Sequence, residues 1–214
     1  VVLVRHGESN TTVARVLGGP RTCSGLSPLG RRQAERLRDR IAEVGELSAA
    51  TVLFSSEYPR AVETAEIIAP ALGLDVQTDV RFGEHDPGPE CDGLTFQEFI
   101  DRYGMPDWHG DPHGVRFPGG ETLAAFHHRV GAAVSDVVAA NPGACIVVAC
   151  HGGVVDASFR HLLRLPPVGG FELHTVNTSL TEFAQIDTGR WRLVRYNDAA
   201  HLAGLPKETP REHG

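Results

Sequence analysis

The chain opens on Val1-Val2-Leu3-Val4, four branched apolar residues in a row, and turns polar at Arg5-His6-Gly7-Glu8-Ser9. An unbroken apolar run of this kind predicts a strand buried on both faces, as in a parallel sheet. A second run, Cys145-Ile-Val-Val-Ala-Cys150, ends the same way, on His151-Gly152-Gly153. Between them strand and helix patterns alternate. Ser27-Pro28 supplies an N-cap and a first-turn proline. Ala34, Leu37, Ile41 and Val44 then repeat at helical spacing, and Gly45 ends that helix. Residues 51–54 predict a second strand, which delivers Ser55-Ser56 to another helix N-terminus. Pro59 lies in the first turn of that helix, with Ala61, Ala65, Ile68 and Leu72 as its apolar stripe and Gly73 as its stop. A short strand is expected over residues 76–80.

From Arg81 to Gly120 the periodicity loosens into Gly, Pro, Asp and His, with one helical patch at Phe96–Tyr103. A long irregular stretch inside a compact domain is usually functional, so residues 85–120 are expected to form a substrate-facing cover. A helix is expected from Glu121, with Leu123, Phe126, Val130, Val134 and Val137 on one face, and a further one over residues 154–163. Residues 178–186 and 191–196, joined through Asp187-Thr188-Gly189-Arg190, read as a closing hairpin. Strands alternating with helices predict an α/β fold, a three-layer α/β/α sandwich with a mostly parallel central sheet. The 214 residues suit a single domain over 1–214.

Composition narrows the partners. A net charge of -7 argues against nucleic acid or an anionic membrane as the main partner. It leaves room for an anionic substrate, because a few converging arginines set the potential inside a pocket. Cys23, Cys91, Cys145 and Cys150 form no CxxC pair and no zinc-finger spacing, which suits a reducing compartment. The sequence goes straight into a core strand, so no signal peptide is expected, and no apolar run reaches membrane-span length. The expected setting is the cytoplasm, as a monomer or homodimer.

The chemistry gathers at strand ends. In an open α/β sheet, ligands bind at the carboxyl ends of the strands. A guanidinium and an imidazole placed there, as in Arg5-His6, suit a phosphate. A neutral imidazole beside cationic groups is able to attack phosphorus and form a phosphohistidine. Arg60 falls in the first turn after a strand, where backbone N–H groups already favour an anion. Glu84, just past the expected strand at 76–80, suits the proton donor that an alcohol leaving group needs. Among the eleven histidines, His109 and His113 have a two-ligand look but fall in a Pro/Gly loop. His127 and His128 are helix neighbours that point apart, and no HExxH is present. No metal and no cofactor are therefore expected.

Together these pieces resemble the histidine phosphatase superfamily, the group similar to cofactor-dependent phosphoglycerate mutase. The matching segments stand in order across nearly all of the chain: Leu3 to Ser9, Leu29-Gly30 with Gln33-Ala34, Ser55-Ser56 through Arg60-Ala61 and Thr64-Ala65, Glu84 with Gly93-Leu94-Thr95, Pro118 to Thr122, His151-Gly152-Gly153, and Asn177-Thr178-Ser179. The resemblance implies His6 as the phosphorylated nucleophile, Glu84 as the proton donor, and Arg5, Arg60 and His151, with Gly152 beside it, as the phosphate pocket. Members often carry an Asn six positions beyond the nucleophile; here Thr12 stands there with Asn10 nearby, and either is a candidate for that contact. The residue before His151 is commonly Ser and here is Cys150. The Gly-Trp and Asn-Lys segments of glycolytic mutases are missing, and Gln33 replaces their Glu. The implied activity is a metal-independent phosphomonoesterase acting on a small phosphorylated metabolite. A mutase and a non-catalytic phosphate-binding module are the alternatives. Arg116, Trp108 and Phe117 in the cover are candidates for leaving-group contacts, against a reading as a surface charge and two loop anchors.

Overall fold

The computed structural model describes residues 1–207; residues 208–214, the end of the expected 1–214 domain, lie outside the described residues. The described residues build a sheet of six strands: β1 (Val2–Arg5), β2 (Ala50–Ser55), β3 (Val76–Thr78), β4 (Cys145–Cys150), β5 (Leu180–Asp187) and β6 (Arg190–Asp198). Their order is β3-β2-β4-β1-β5-β6. The pairs β1–β4, β2–β4 and β2–β3 are parallel, and the closing hairpin joins the sheet antiparallel through β5. The expected α/β architecture, with helices on both faces of a mostly parallel sheet, is therefore the observed one.

Helices α2 (Pro28–Val44) and α3 (Pro59–Leu72) cover one face. Leu37, Ile41, Ala65 and Ile68 pack there on Val2, Val4, Leu53 and Val147. Helices α5 (Leu123–Ala140) and α6 (Gly152–Leu163) cover the other. There Phe126, Val130, Val134 and Val154 meet Leu3, Ile146, Val148 and Phe183. Alternate residues of β1 and β4 thus point to opposite cores, and this two-sided burial is why both strands are continuous apolar runs. A short helix α1 (Asn10–Val13) follows β1, and α4 (Phe96–Tyr103) lies between β3 and α5. Cys91, Phe96, Phe99 and Phe117 give the segment around α4 a small core of its own.

Several boundaries differ from the periodicity. The strand at residues 76–80 stops at Thr78, because the Asp79 side chain accepts from Arg81 N–H and turns Val80–Phe82 into a 3₁₀ turn. The helix expected from Glu121 starts at Leu123, with Thr122 as its N-cap. The first strand of the closing hairpin begins at Leu180 rather than at residue 178, because Thr178 adopts a left-handed conformation, φ 55°. Val44 ends its stripe in solvent, 73% exposed, while Ala34, Leu37 and Ile41 are buried. Helix α1 was not expected at all: its four residues are too few for a periodic signal.

What aims the first strand end is a backbone-on-backbone contact. A Cβ on Gly30, in the first turn of α2, would lie 2.0 Å from the Glu8 carbonyl oxygen, and one on Gly7 would lie 2.4 Å from that of Gly30. Ser27 N–H donates to the Glu8 carbonyl (2.8 Å), Ser27 Oγ donates to Glu8 Oε1 (2.7 Å), and Glu8 N–H donates to Gln33 Oε1 (2.8 Å). Gly30→Ala is expected to cost about 1–3 kcal/mol of stability, the range for overpacking a close-packed contact. A thermal melt of the variant checks this, and a melt indistinguishable from that of the parent would refute it.

Candidate active site

Because β1 and β4 are adjacent and in register, with Arg5 opposite Cys150, the residues that follow them emerge side by side. The helix after β1 goes to one face and the helix after β4 to the other, so the sheet opens a crevice between these two strand ends. His6 and His151 stand in it with ring centroids 5.1 Å apart. Both are buried, at 3% and 0% exposure.

The first turn of α3 brings Arg60 between them. Its Nε–H donates to His6 Nε2 at 3.1 Å and to His151 Nδ1 at 3.3 Å. Its Nη1 donates to the Gly18 carbonyl at 3.0 Å, and the guanidinium lies over the Tyr58 ring, 4.8 Å from its centroid. Arg5 stands beside the N-terminus of α6, where its Nη1 donates to the Thr175 carbonyl and its Nε would lie 3.9 Å from a Cβ on Gly152.

Hydrogen-bond chemistry fixes the His6 tautomer. Nδ1 lies 2.6 Å from the Gly7 carbonyl, which only accepts, so Nδ1 carries the proton. Arg60 Nε–H only donates, so Nε2 presents its lone pair to the crevice. His151 shares Nε2 with the Ser56 hydroxyl at 2.7 Å. Burial first, then the positive charges of Arg60 and Arg5, push its pKa well below the ordinary histidine range, so it is neutral. Burial likewise raises the Tyr58 phenol, whose ring meets His151 edge-on at 4.9 Å. The Cys150 thiol, fully buried directly ahead of His151, is pushed far up by desolvation.

Glu84 approaches from the side of α6. Gly153 N–H donates to its Oε2 at 3.1 Å and His85 N–H to its Oε1 at 3.0 Å. A Cβ on Gly153 would lie 2.2 Å from Oε1, so only glycine leaves room for the carboxylate here. Arg129 of α5 secures the approach, donating to the carbonyls of Arg81 (2.7 Å), Gly83 (3.1 Å) and Glu84 (3.4 Å). Arg129 also pairs with Glu121 at 2.8 Å.

The structure thus brings Arg5, His6, Arg60, Glu84, His151 and Gly152 to one crevice. Asn10 and Thr12 do not join them by hydrogen bonds. Asn10 Nδ2 donates to the Ser24 carbonyl at 3.2 Å, and Thr12 Oγ1 bonds Ser9 Oγ at 2.9 Å, both inside the loop after β1. Phe117 is an anchor: it is buried against Phe99 (5.1 Å) and Trp108 (5.7 Å), and its ring lies 5.7 Å from His85. Arg116 donates to the carbonyls of Gly110 and Gly114 and so braces its own loop. His109 and His113 are both exposed.

Sequence reasoning assigned no role to Ser56, Tyr58, Thr64 or Asn177. Thr64 Oγ1 accepts from Gly7 N–H (3.1 Å) and donates to the Arg60 carbonyl (2.8 Å), and Asn177 Nδ2 donates to the His6 carbonyl (2.7 Å). All four fall inside segments that carry the family resemblance, and Ser56, Thr64 and Asn177 are polar at positions beside buried strands or on a buried helix face, but neither signal says what they hold.

Fold and crevice together define an α/β protein with a buried histidine pair at its strand ends, and sequence comparison says to which family it belongs. A profile of the histidine phosphatase superfamily (branch 1) matches residues 1–199, and the chain belongs to that family. It is similar to phosphoglycerate mutase-like protein 4 of Arabidopsis thaliana, at 32% identity over 94% of this chain and 86% of that one. It is equally similar to the probable phosphoglycerate mutase GpmB of Proteus mirabilis, at 32% identity over 96% and 95% of the two chains. Among solved structures it resembles mycobacterial glucosyl-3-phosphoglycerate phosphatase in complex with VO3, with a TM-score of 0.77 and 27% identity over 92% and 98% of the two chains.

One buried and one half-buried histidine, His151 and His201, are expected to make the fold acid-sensitive. His201 Nε2–H donates to Thr178 Oγ1 at 2.9 Å, and burial holds its pKa down to about 4. In the folded protein His201 and His151 are both held below the ordinary value of 6.5, so the unfolded chain takes up protons first. Their contribution to stability is intact above about pH 6.5 and is lost as the pH falls towards 4. Urea midpoints measured across that window are expected to drop steadily, and His201→Gln, which keeps an N–H for Thr178, is expected to flatten part of the slope. An unchanged slope in that variant would contradict the account.

Proposed function

We propose that the protein is a metal-independent phosphomonoesterase working through a phosphohistidine on His6. The observation that carries this reading is the Arg60 Nε–H shared between His6 Nε2 (3.1 Å) and His151 Nδ1 (3.3 Å) in a buried crevice. A donor placed against a lone pair in this way is poised to pass to a phosphoryl oxygen when substrate enters. The His6 lone pair then faces phosphorus in line. The N–P bond forms as the ester P–O bond breaks, and the leaving oxygen takes a proton from Glu84. Water next attacks the phosphohistidine and gives a proton back to Glu84, which releases inorganic phosphate. Arg5 and Arg60 stabilise the charge on the equatorial oxygens, the larger part of catalysis in phosphoryl transfer. The Ser56 hydroxyl both donates and accepts, so it lets neutral His151 present Nδ1–H to phosphate once Arg60 turns away.

The substrate in this reading is a small phosphorylated metabolite under the 85–120 cover, in a cytoplasmic setting supported by four free cysteines. A second reading, return of the phosphoryl group to a bound product, is favoured by the mutase names of the two relatives. Stimulation of turnover by a bisphosphoglycerate would select it. The Gln33 side chain is committed to Glu8 N–H at 2.8 Å rather than to the crevice.

His6→Ala, assayed in EDTA against an aryl phosphate, is expected to lose turnover and also acid-labile labelling from a phosphorylated substrate. Label appearing on His151 instead would reassign the nucleophile. Glu84→Gln is expected to slow the hydrolysis of alkyl phosphates by roughly 10²–10⁴-fold, the usual share of a general acid. Aryl esters should lose far less, because their leaving groups barely need protonation. Equal losses on both substrate types would show that another group delivers the proton.

A further inference from the structure

Arg60 reaches the two histidines through Nε while its Nη1 is held elsewhere, by the Gly18 carbonyl at 3.0 Å. That carbonyl and the Gly19 N–H belong to one peptide unit, and the Gly19 N–H donates to Asp92 Oδ1 at 2.9 Å. We propose that Asp92 is a positioning residue for Arg60, acting through the Gly18–Gly19 peptide; this rests on the reading of Arg60 as a phosphate-binding group.

The chemistry fixes the direction of the relay. No cis peptide occurs among the described residues, so this C=O and N–H point in opposite directions within the peptide plane. With the N–H on Asp92, the carbonyl faces Arg60. Turning the peptide over would set the carbonyl dipole against a carboxylate and take the acceptor from the guanidinium. Asp92 is itself well held. Its Oδ2 accepts from Arg21 N–H at 2.7 Å, and the Thr22 hydroxyl donates to Oδ1. The flanking backbone is stitched in the same way, with Leu17 N–H on the Leu94 carbonyl (2.7 Å) and Gly93 N–H on that of Leu17 (2.8 Å). Position 19 accepts no side chain without moving the carboxylate: a Cβ there would lie 2.6 Å from Asp92 Cγ. Asp92 lies in the segment that carries α4, so the pocket arginine is oriented from the cover rather than from its own helix.

A double-mutant cycle tests this, with p-nitrophenyl phosphate turnover and orthovanadate inhibition as readouts and melting temperature as a control. Asp92→Asn keeps the shape and removes the charge. It is expected to lower kcat/KM and vanadate affinity by roughly 10- to 100-fold, as for a hydrogen bond to a charged group. In an Arg60→Ala background the same change should cost less than about threefold, since nothing remains to be positioned. Gly19→Ala, which pushes the carboxylate away from the other side, should reproduce the pattern and takes over the cycle if Asp92→Asn does not fold. Equal fold-losses with and without Arg60 would overturn the proposal and leave Asp92 a loop fastener. An Arg60→Ala variant with unchanged turnover and vanadate affinity would overturn the assignment of Arg60 itself, and the proposal with it.

Discussion

The whole site depends on one buried charge surrounded by neutral acceptors. Arg60 is 4% exposed, and its partners among the described residues are two imidazoles, a carbonyl and an aromatic ring. A guanidinium in such a place costs solvation that neutral acceptors recover only in part. On the proposed reading, a phosphate dianion entering the crevice would supply the missing charge. Burial first, and this positive field second, hold the His151 pKa well down. Removing Arg60 would therefore delete a contact to each histidine and ease one of the pressures on the His151 pKa, while burial would remain.

Everything around that charge is arranged by backbone rather than by side-chain bulk. Gly7 and Gly30 pass main chain against main chain at the end of β1, and Gly153 clears a place for Glu84 at the start of α6. Parallel pairing of β1 with β4 sets His6 and His151 side by side, and helices leaving to opposite faces open the crevice above them. The chemistry is thus carried by residues that follow strands, while the strands fix their separation.

Much of this was legible in the residues. Two apolar runs ending in histidine and glycine announced a parallel pair and its strand-end site, because side chains buried on both faces leave no polar alternation. Ser27-Pro28, Gly45 and Gly73 marked helix ends through local capping chemistry, which needs no tertiary information. What escaped was tertiary. The short helix α1 has too few residues for a period, and the left-handed Thr178 is held by His6 and Arg5 carbonyls far away in sequence. The fate of Arg116 and Phe117 turned on a small private core around α4, which a Gly- and Pro-rich stretch conceals. Asn10 and Thr12 look available in sequence, and only the structure shows them occupied by Ser24 and Ser9.

Cys150 stands next to the histidine at the heart of the pocket, yet burial keeps its sulfur protonated. Peroxides and alkylating agents react with thiolates, so at this strand end they meet an inert thiol beside a nitrogen base. The strand end therefore sets a sulfur beside His151 without giving an oxidant a thiolate to attack there.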